Sequence, residues 1–256
     1  MTGPGAFALT AVLALGACSA PQPTSTASAG AVTGDLTVLA AASLTESFTQ
    51  LGDDLMDDNP GLNIMFSFGG SSGLAQQIVA GAPADVFAAA SEATMRTVVE
   101  AGDGVGTSQV FARNSLEIAV PAGNPAAVQG LADLSRDELT IALCAPQVPC
   151  GAAAVRVLDA AGMKAAPDTF ERDVRAALTK VRLGEVDAAL VYRTDVLAGG
   201  TQVEGIPVPE ATAGITDYPI TVLADAPHEA AARAFVEYVL SQKGQQVLVD
   251  GGFETP

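Results

Sequence analysis

Short apolar runs alternate with longer amphipathic stretches along most of this chain. The first run, DLTVLAAA at 35–42, is apolar and partly β-branched, which predicts a buried strand. Ala40, Ala41 and Ala42 leave room for close approach to the backbone. Ser43 followed by Glu46 is a capping-box pattern, so a helix is predicted from Ser43 to about Asp58, ended by Asn59-Pro60-Gly61. LNIMFSF at 62–68 alternates apolar and polar positions and predicts a second strand. Gly69-Gly70-Ser71-Ser72-Gly73 then turns into a helix over 74–80, closed by Gly81-Ala82-Pro83. ADVFAAA at 84–90 reads as a strand, and Ser91 caps a helix ending near Gly102.

The alternation continues. SLEIAVP at 115–121 predicts a strand, with a helical signal at 131–134 and a further strand, LTIALC, at 139–144. The turn at 145–151, APQVPCG, delivers the chain to a helix running to about Gly162. Residues 169–183 carry Asp173-Val174-Arg175 at a helix start, and Gly184 ends that helix. VDAALVY at 186–192 predicts a strand, after which Arg193-Thr194-Asp195 opens a short helix. DYPITVL at 217–223 is the last strand, and helices over 228–240 and 242–249 close the chain. No internal repeat of fixed period is present. Unbroken strand–helix alternation predicts α/β architecture with parallel sheets.

One device recurs in this pattern: a strand, a turn of small residues, and a helix start. Such a junction binds anions, because unbonded N–H groups and the helix dipole point out of it. The glycine-rich turn at 69–73 lacks the Gly-Lys-Ser/Thr of a nucleotide loop and the glycine spacing of a dinucleotide fingerprint. The net charge of −17 argues against nucleic acid and against anionic membrane surfaces. No Lys or Arg precedes Arg96, so an anion site near Ser43 would work through backbone and hydroxyl donors.

The cysteines bear on compartment. AFALTAVLALGA at 6–17 is too short to span a membrane and suits the apolar core of a signal peptide over residues 1–17. It ends in Leu15-Gly16-Ala17-Cys18, which resembles the lipobox of bacterial lipoproteins and makes Cys18 the lipidation site. Residues 1–17 carry no basic n-region, so either the start lies upstream or the signal is atypical. Residues 18–33, rich in Ser, Thr, Ala, Pro and Gly, form the expected lipid-anchored linker. In an exported chain, Cys144 and Cys150 are expected to form a disulfide. With His228 the sole histidine, zinc has too few ligands.

AAASLTESF at 40–48, FGGSSGLAQQI at 68–78, GAPADVFAAAS at 81–91, VPCG at 148–151, DVRAAL at 173–178 and ALVYRTD at 189–195 together resemble the molybdate-binding proteins of ABC importers. The resemblance covers about residues 35–256 in order. It implies an α/β fold of the two-lobed periplasmic-binding-protein kind, type II, with two parallel-rich sheets flanked by helices and a ligand cleft between lobes. Lobe 1 would comprise 34–114 and 218–256, and lobe 2 would comprise 115–217, with connecting strands at 115–121 and 217–223.

The resemblance also implies a ligand set. Ser43 and Ser71 match the serines of the two turns in lobe 1, each offering a hydroxyl and an amide. Cys150 falls where the family has a small residue, often alanine, and only its amide is needed. Val174 matches an amide donor and Tyr192 a hydroxyl donor. Molybdenum would be held only through its oxygens by these five residues. The implied protein is an extracytoplasmic, lipid-anchored monomer with no cofactor. It would capture molybdate or tungstate and pass it to a membrane permease, touching the membrane only through its N-terminal lipid. Alternatives are a receptor for another tetrahedral oxyanion such as sulfate and, far behind, a serine hydrolase using Ser43 or Ser71. The hydrolase lacks a Gly-x-Ser-x-Gly elbow and has only His228, expected exposed in the first turn of a late helix, as base.

Overall fold

The computed structural model describes residues 1–3 and 32–256. The expected signal peptide, the Cys18 lipidation site and the linker therefore lie outside the described residues, apart from residues 1–3, 32 and 33.

Two five-stranded sheets form the frame. In the first, β1 (Gly34–Ala41), β2 (Leu62–Gly69) and β3 (Val86–Ala88) run parallel, in the order β2-β1-β3. β10 (Thr216–Val222) lies antiparallel to β3, and β4 (Gln109–Asn114) lies antiparallel to β10. The second sheet repeats the plan: β7 (Thr169–Glu171), β6 (Ile141–Cys144) and β8 (Ala188–Tyr192) run parallel. There β5 (Leu116–Pro121) lies antiparallel to β8, and β9 (Val203–Pro207) antiparallel to β5.

The sheets are therefore mixed, where uniform strand–helix alternation predicts parallel ones. The reason is topological. The chain leaves the first sheet at the end of β4 and enters the second as β5, across Ser115. It returns from the second half and enters the first sheet as β10, after Ile215. A strand entering from the gap between the sheets starts at the edge where its parallel neighbours end, so it must run against them.

Helices cover the sheets: α1 (Thr45–Asp58), α2 (Ser71–Val79), α3 (Glu92–Glu100), α7 (Glu229–Leu240) and α8 (Gln242–Asp250) belong to the first half. The second half has α4 (Pro149–Ala160), α5 (Val174–Arg182) and α6 (Arg193–Gly199). Most match the sequence pattern within a few residues. α2 starts three residues earlier than 74, because Gly70 is already extended and Ser71 begins the helix. The strands β4, β7 and β9 had no sequence signal strong enough to predict them. Each is an outer strand of its sheet, where one long edge is unpaired and polar residues are tolerated.

The capping box at Ser43 does not form. Ala42–Leu44 makes a single 3-10 turn, and α1 begins at Thr45 with no side-chain cap. The Ser43 hydroxyl bonds Tyr218 instead, and Glu46 reaches across to Arg175. Ser91 and Asp173 do cap their helices, accepting the amides of Thr94 and Ala176. Cys144 and Cys150 are joined as a disulfide across the turn between β6 and α4.

Both halves use the same lock at the far ends of their strands. Asp85, just before β3, accepts the Thr37 amide at 2.8 Å, while its own amide bonds the Thr37 carbonyl. Asp187, just before β8, does the same with Thr140, its carboxylate accepting at 2.8 Å. Asp85 also accepts the His228 amide at 2.7 Å. The carboxylate of Asp85 is buried, and its loss leaves two partly buried donors, the Thr37 and His228 amides, without their acceptor. Asp85→Ala is expected to cost roughly 1–3 kcal/mol, the scale of two partly buried donors losing a charged acceptor. Urea titration checks this, and a loss under about 1 kcal/mol would show that water replaces the carboxylate.

Candidate functional site

The parallel strands of both sheets end toward each other, and the helices that follow them begin there. A cavity of about 230 Å³, part of it open to solvent, lies at this meeting point. The room inside it for the centre of a water-sized sphere is only about 20 Å³, so it suits a single small ion. Ser43, Ser71, Cys150, Val174 and Tyr192, the five positions expected to touch ligand, all line it. Each is buried.

Local sequence explains what each position offers. β1 and β2 end in Ala41 and Gly69, residues too small to fill the space beyond them. Ser71 is the first residue of α2, and α2 has no side-chain cap. Its amide therefore has no intrahelical acceptor. Its hydroxyl oxygen accepts the Ala90 amide at 3.0 Å, which leaves the hydroxyl hydrogen to be donated elsewhere. α4 opens on Pro149, which has no N–H, so Cys150 carries the first free amide of an uncapped helix. Gly151 follows because a Cβ there would collide with the carbonyl of Ala145. Val174 opens α5, whose cap, Asp173, is occupied by the Ala176 amide.

Tyr192 ends β8 and is buried, yet its hydroxyl has no hydrogen-bond partner. Thr216 and Tyr218 are its polar neighbours, neither in bonding geometry. Burial pushes the phenol pKa well above its ordinary value, so the group is a neutral O–H at physiological pH. A buried hydroxyl without a partner is costly, and this one belongs to a residue lining the cavity.

The halves meet around this space. A Cβ on Gly70 would stand 2.5 Å from the Arg172 carbonyl, so glycine is what allows the two turns to touch. Ser72 Oγ donates to the Gln147 carbonyl at 2.9 Å, and Arg175 pairs with Glu46. Among the described residues, Asp173 is the one charged residue lining the cavity. Cations stand outside it: Arg172, Arg175 and Lys180 line an adjoining open groove. All three come from the second half, so the first half contributes donors without positive side chains, as its sequence predicts.

His228 lies elsewhere. It precedes α7, half-buried rather than freely exposed, and its amide bonds Asp85 at the starting ends of the strands. The cavity lies at the opposite ends, so the sole histidine of the chain cannot serve Ser43 or Ser71 as a base. Among the described residues no group of three His, Cys, Asp or Glu side chains is placed to hold a metal ion. Tyr218 and Asn114, which support the site, had no local signal in the sequence. Tyr218 meets Ser43 across 175 positions.

Asp195, in the first turn of α6, accepts the Tyr192 amide at 3.2 Å through Oδ2, while Oδ1 has no partner. Burial pushes its carboxyl from the ordinary 3.8 up to about 8, against the pull of Arg175 and with help from Glu46 and Asp173. A raised pKa makes the folded state favour the protonated form. The corresponding stability is full below about pH 4 and is lost as pH rises through about 8. Asp195→Asn, which does not titrate, is expected to lose less melting temperature than the parent between about pH 5 and pH 8. Equal losses in both proteins would place the carboxyl's titration outside that window.

Residues 36–254 match the family described as bacterial extracellular solute-binding protein. The chain is 42% identical to the molybdate-binding protein ModA of Mycobacterium tuberculosis over 247 residues, which are 96% of this chain and 94% of that one. In structure it is similar to the periplasmic molybdate-binding protein of Azotobacter vinelandii, with TM-score 0.76 and 21% identity over 86% of this chain and 99% of that one. It is also similar to the sulfate-binding protein SubI of Mycobacterium tuberculosis, with TM-score 0.75 and 18% identity over 86% of each chain. At those identities the two structures speak for the fold alone. With the match spanning both sheets and the cavity between them, the chain belongs to the bacterial extracellular solute-binding protein family.

Proposed function

We propose that this protein is an extracytoplasmic receptor that captures molybdate, and also tungstate, and delivers it to an ABC importer. The observation that carries the reading is the donor set of the cavity. Hydroxyls of Ser43, Ser71 and Tyr192 and first-turn amides of Ser71, Cys150 and Val174 line one small space between the halves. A fully deprotonated tetrahedral oxyanion offers only acceptors, so these donors complement it, while the one carboxylate of the lining, Asp173, is taken up by the Ala176 amide and Arg172. Each helix N-terminus brings roughly half a positive charge, and hydrogen bonds to a charged group contribute roughly 1.5–3 kcal/mol each. No cationic side chain needs to enter the cavity.

The relative of 42% identity is a molybdate-binding protein, which favours molybdate over sulfate among anions of this shape. The larger tetrahedron of molybdate would be sorted from sulfate by the size of the closed space. Ligand binding is expected to hold the halves together by hinge motion at the two crossings. Lipid attachment at Cys18 would keep the receptor on the outer face of the cell membrane, beside the permease it serves.

Calorimetry with molybdate, tungstate, sulfate and phosphate tests this. Molybdate and tungstate are expected to bind tightest, and a hundredfold excess over Kd should stabilise the fold by about 2.7 kcal/mol. A response to sulfate or phosphate with none to molybdate overturns the assignment. Ser43→Ala and Ser71→Ala are each expected to weaken molybdate binding by roughly tenfold or more while the protein remains folded. Unchanged affinity in both would reject these serines as ligands.

A further inference from the structure

The hydroxyl of Ser43 has a direction, and the groups behind it set that direction. Ser43 Oγ lies 2.8 Å from the hydroxyl of Tyr218, a distance that by itself leaves either oxygen as donor. Tyr218 is fully buried on β10, boxed by the rings of Tyr192, Phe111 and Phe253. Burial, with Tyr192 beside it, holds its phenol far above the ordinary pKa, so it keeps its proton. Asn114, also buried, stands behind it. The Ser115 amide donates to Asn114 Oδ1 at 3.0 Å, which fixes the orientation of the side-chain amide. Nδ2 must then face the other way, where it lies 2.8 Å from Thr194 Oγ1 and 3.5 Å from Tyr218 Oη.

An NH2 group only donates. A phenol oxygen that receives a hydrogen from Asn114 turns its own toward the acceptor in bonding geometry with it, Ser43, since the Tyr192 hydroxyl beside it is not so placed. Ser43 thereby accepts from Tyr218, and its own hydrogen is left for the cavity that it lines. The polarity runs one way, from Asn114 through Tyr218 and Ser43 to the ligand. Thr194 belongs to the second half and Tyr218 to the first, so Asn114, beside the crossing at Ser115, ties the relay to the contact between the halves.

We propose that Tyr218, oriented by Asn114, is a positioning residue that makes Ser43 a one-way donor and so sets the preference for oxyanions that carry no proton. This inference rests on the oxyanion-receptor reading and adds the part that excludes protonated anions. A serine free to rotate can accept a hydrogen from hydrogenphosphate as readily as it donates to molybdate. A serine that already accepts from Tyr218 has its own hydrogen left for the cavity, where it faces a ligand oxygen favourably and a phosphate hydroxyl hydrogen unfavourably.

The test is calorimetry on the full chain at mildly alkaline pH, with molybdate and with phosphate as its singly protonated dianion. Tyr218→Phe is expected to lower molybdate affinity roughly tenfold, the scale of one hydrogen bond to a charged group. Phosphate affinity, read by competition, should hold or rise, so the molybdate-to-phosphate ratio falls at least tenfold. Merely structural damage would weaken both anions together. In the Ser43→Ala background, adding Tyr218→Phe should change neither affinity further. An affinity and ratio within about twofold of the parent, or an undiminished effect in the Ser43→Ala background, overturns the relay. If Tyr218→Phe fails to fold, NMR of the tyrosine-labelled parent decides. A slowly exchanging Tyr218 hydroxyl proton with a cross-peak to Ser43 supports the relay, and its absence rejects it. If the parent binds neither anion, the receptor reading fails and this specificity role with it. A parent that binds molybdate but is indifferent to Tyr218→Phe overturns only the inference made here.

Discussion

Unbonded N–H groups at helix starts, aimed from two sheets into one gap, are the constraint on which this structure depends. An α-helix cannot satisfy its first amides internally, and α2 and α4 use no side chain to cap them. Those amides need water or a ligand. Strand direction decides where they end up, because every parallel strand in both sheets ends at the gap. The two connecting strands, β5 and β10, run against their neighbours so that the gap can be crossed twice. Mixed sheets, close-packed glycine turns and short alanine-rich junctions all follow from assembling that gap.

Charge is arranged to the same end. The chain is acidic overall, at −17, and an anion approaching it meets repulsion at long range that salt screens within roughly 10 Å. Inside the gap, short-range donors dominate. Arg172, Arg175 and Lys180 edge the neighbouring groove without entering the cavity. Arg175 is also spent on Glu46 of the opposite half, so one cation both moderates the acidic surroundings of Asp195 and joins the halves. Buried Asp195 and Tyr192 stay protonated at neutral pH, which keeps additional negative charge away from the site.

The two halves show the same engineering at different places in the chain. Each has strand order second-first-third, then the crossing strand, then an outer strand. Each locks its first and third strands by a reciprocal pair, Asp85 with Thr37 and Asp187 with Thr140. No repeat at fixed period announces this, because the halves differ in connection lengths and in packing. The first core is built around Phe48, Phe111 and Phe235, and the second is almost wholly aliphatic.

Local sequence determined a good deal. Apolar runs bounded by glycine, proline and capping residues located the central strands and most helices, since burial on both faces leaves a dense apolar signature. The repeated strand–turn–helix junctions marked Ser43, Ser71 and Cys150 as places where donors are exposed, while Val174 and Tyr192 came only from the family resemblance. The outer strands β4, β7 and β9 were not legible, because an edge strand's conformation is imposed by the neighbour it pairs with. The capping box at Ser43 misled for a similar reason: its hydroxyl had a better partner, Tyr218, brought in from 175 residues away. Only the tertiary structure decided that strands returning across the gap run antiparallel and that the Tyr192 hydroxyl is left without a partner. Only it put Asn114 and Tyr218 behind Ser43. Those are relations between residues distant in sequence, and short-range propensity carries no information about which distant group will arrive, or with its donor or its acceptor side foremost.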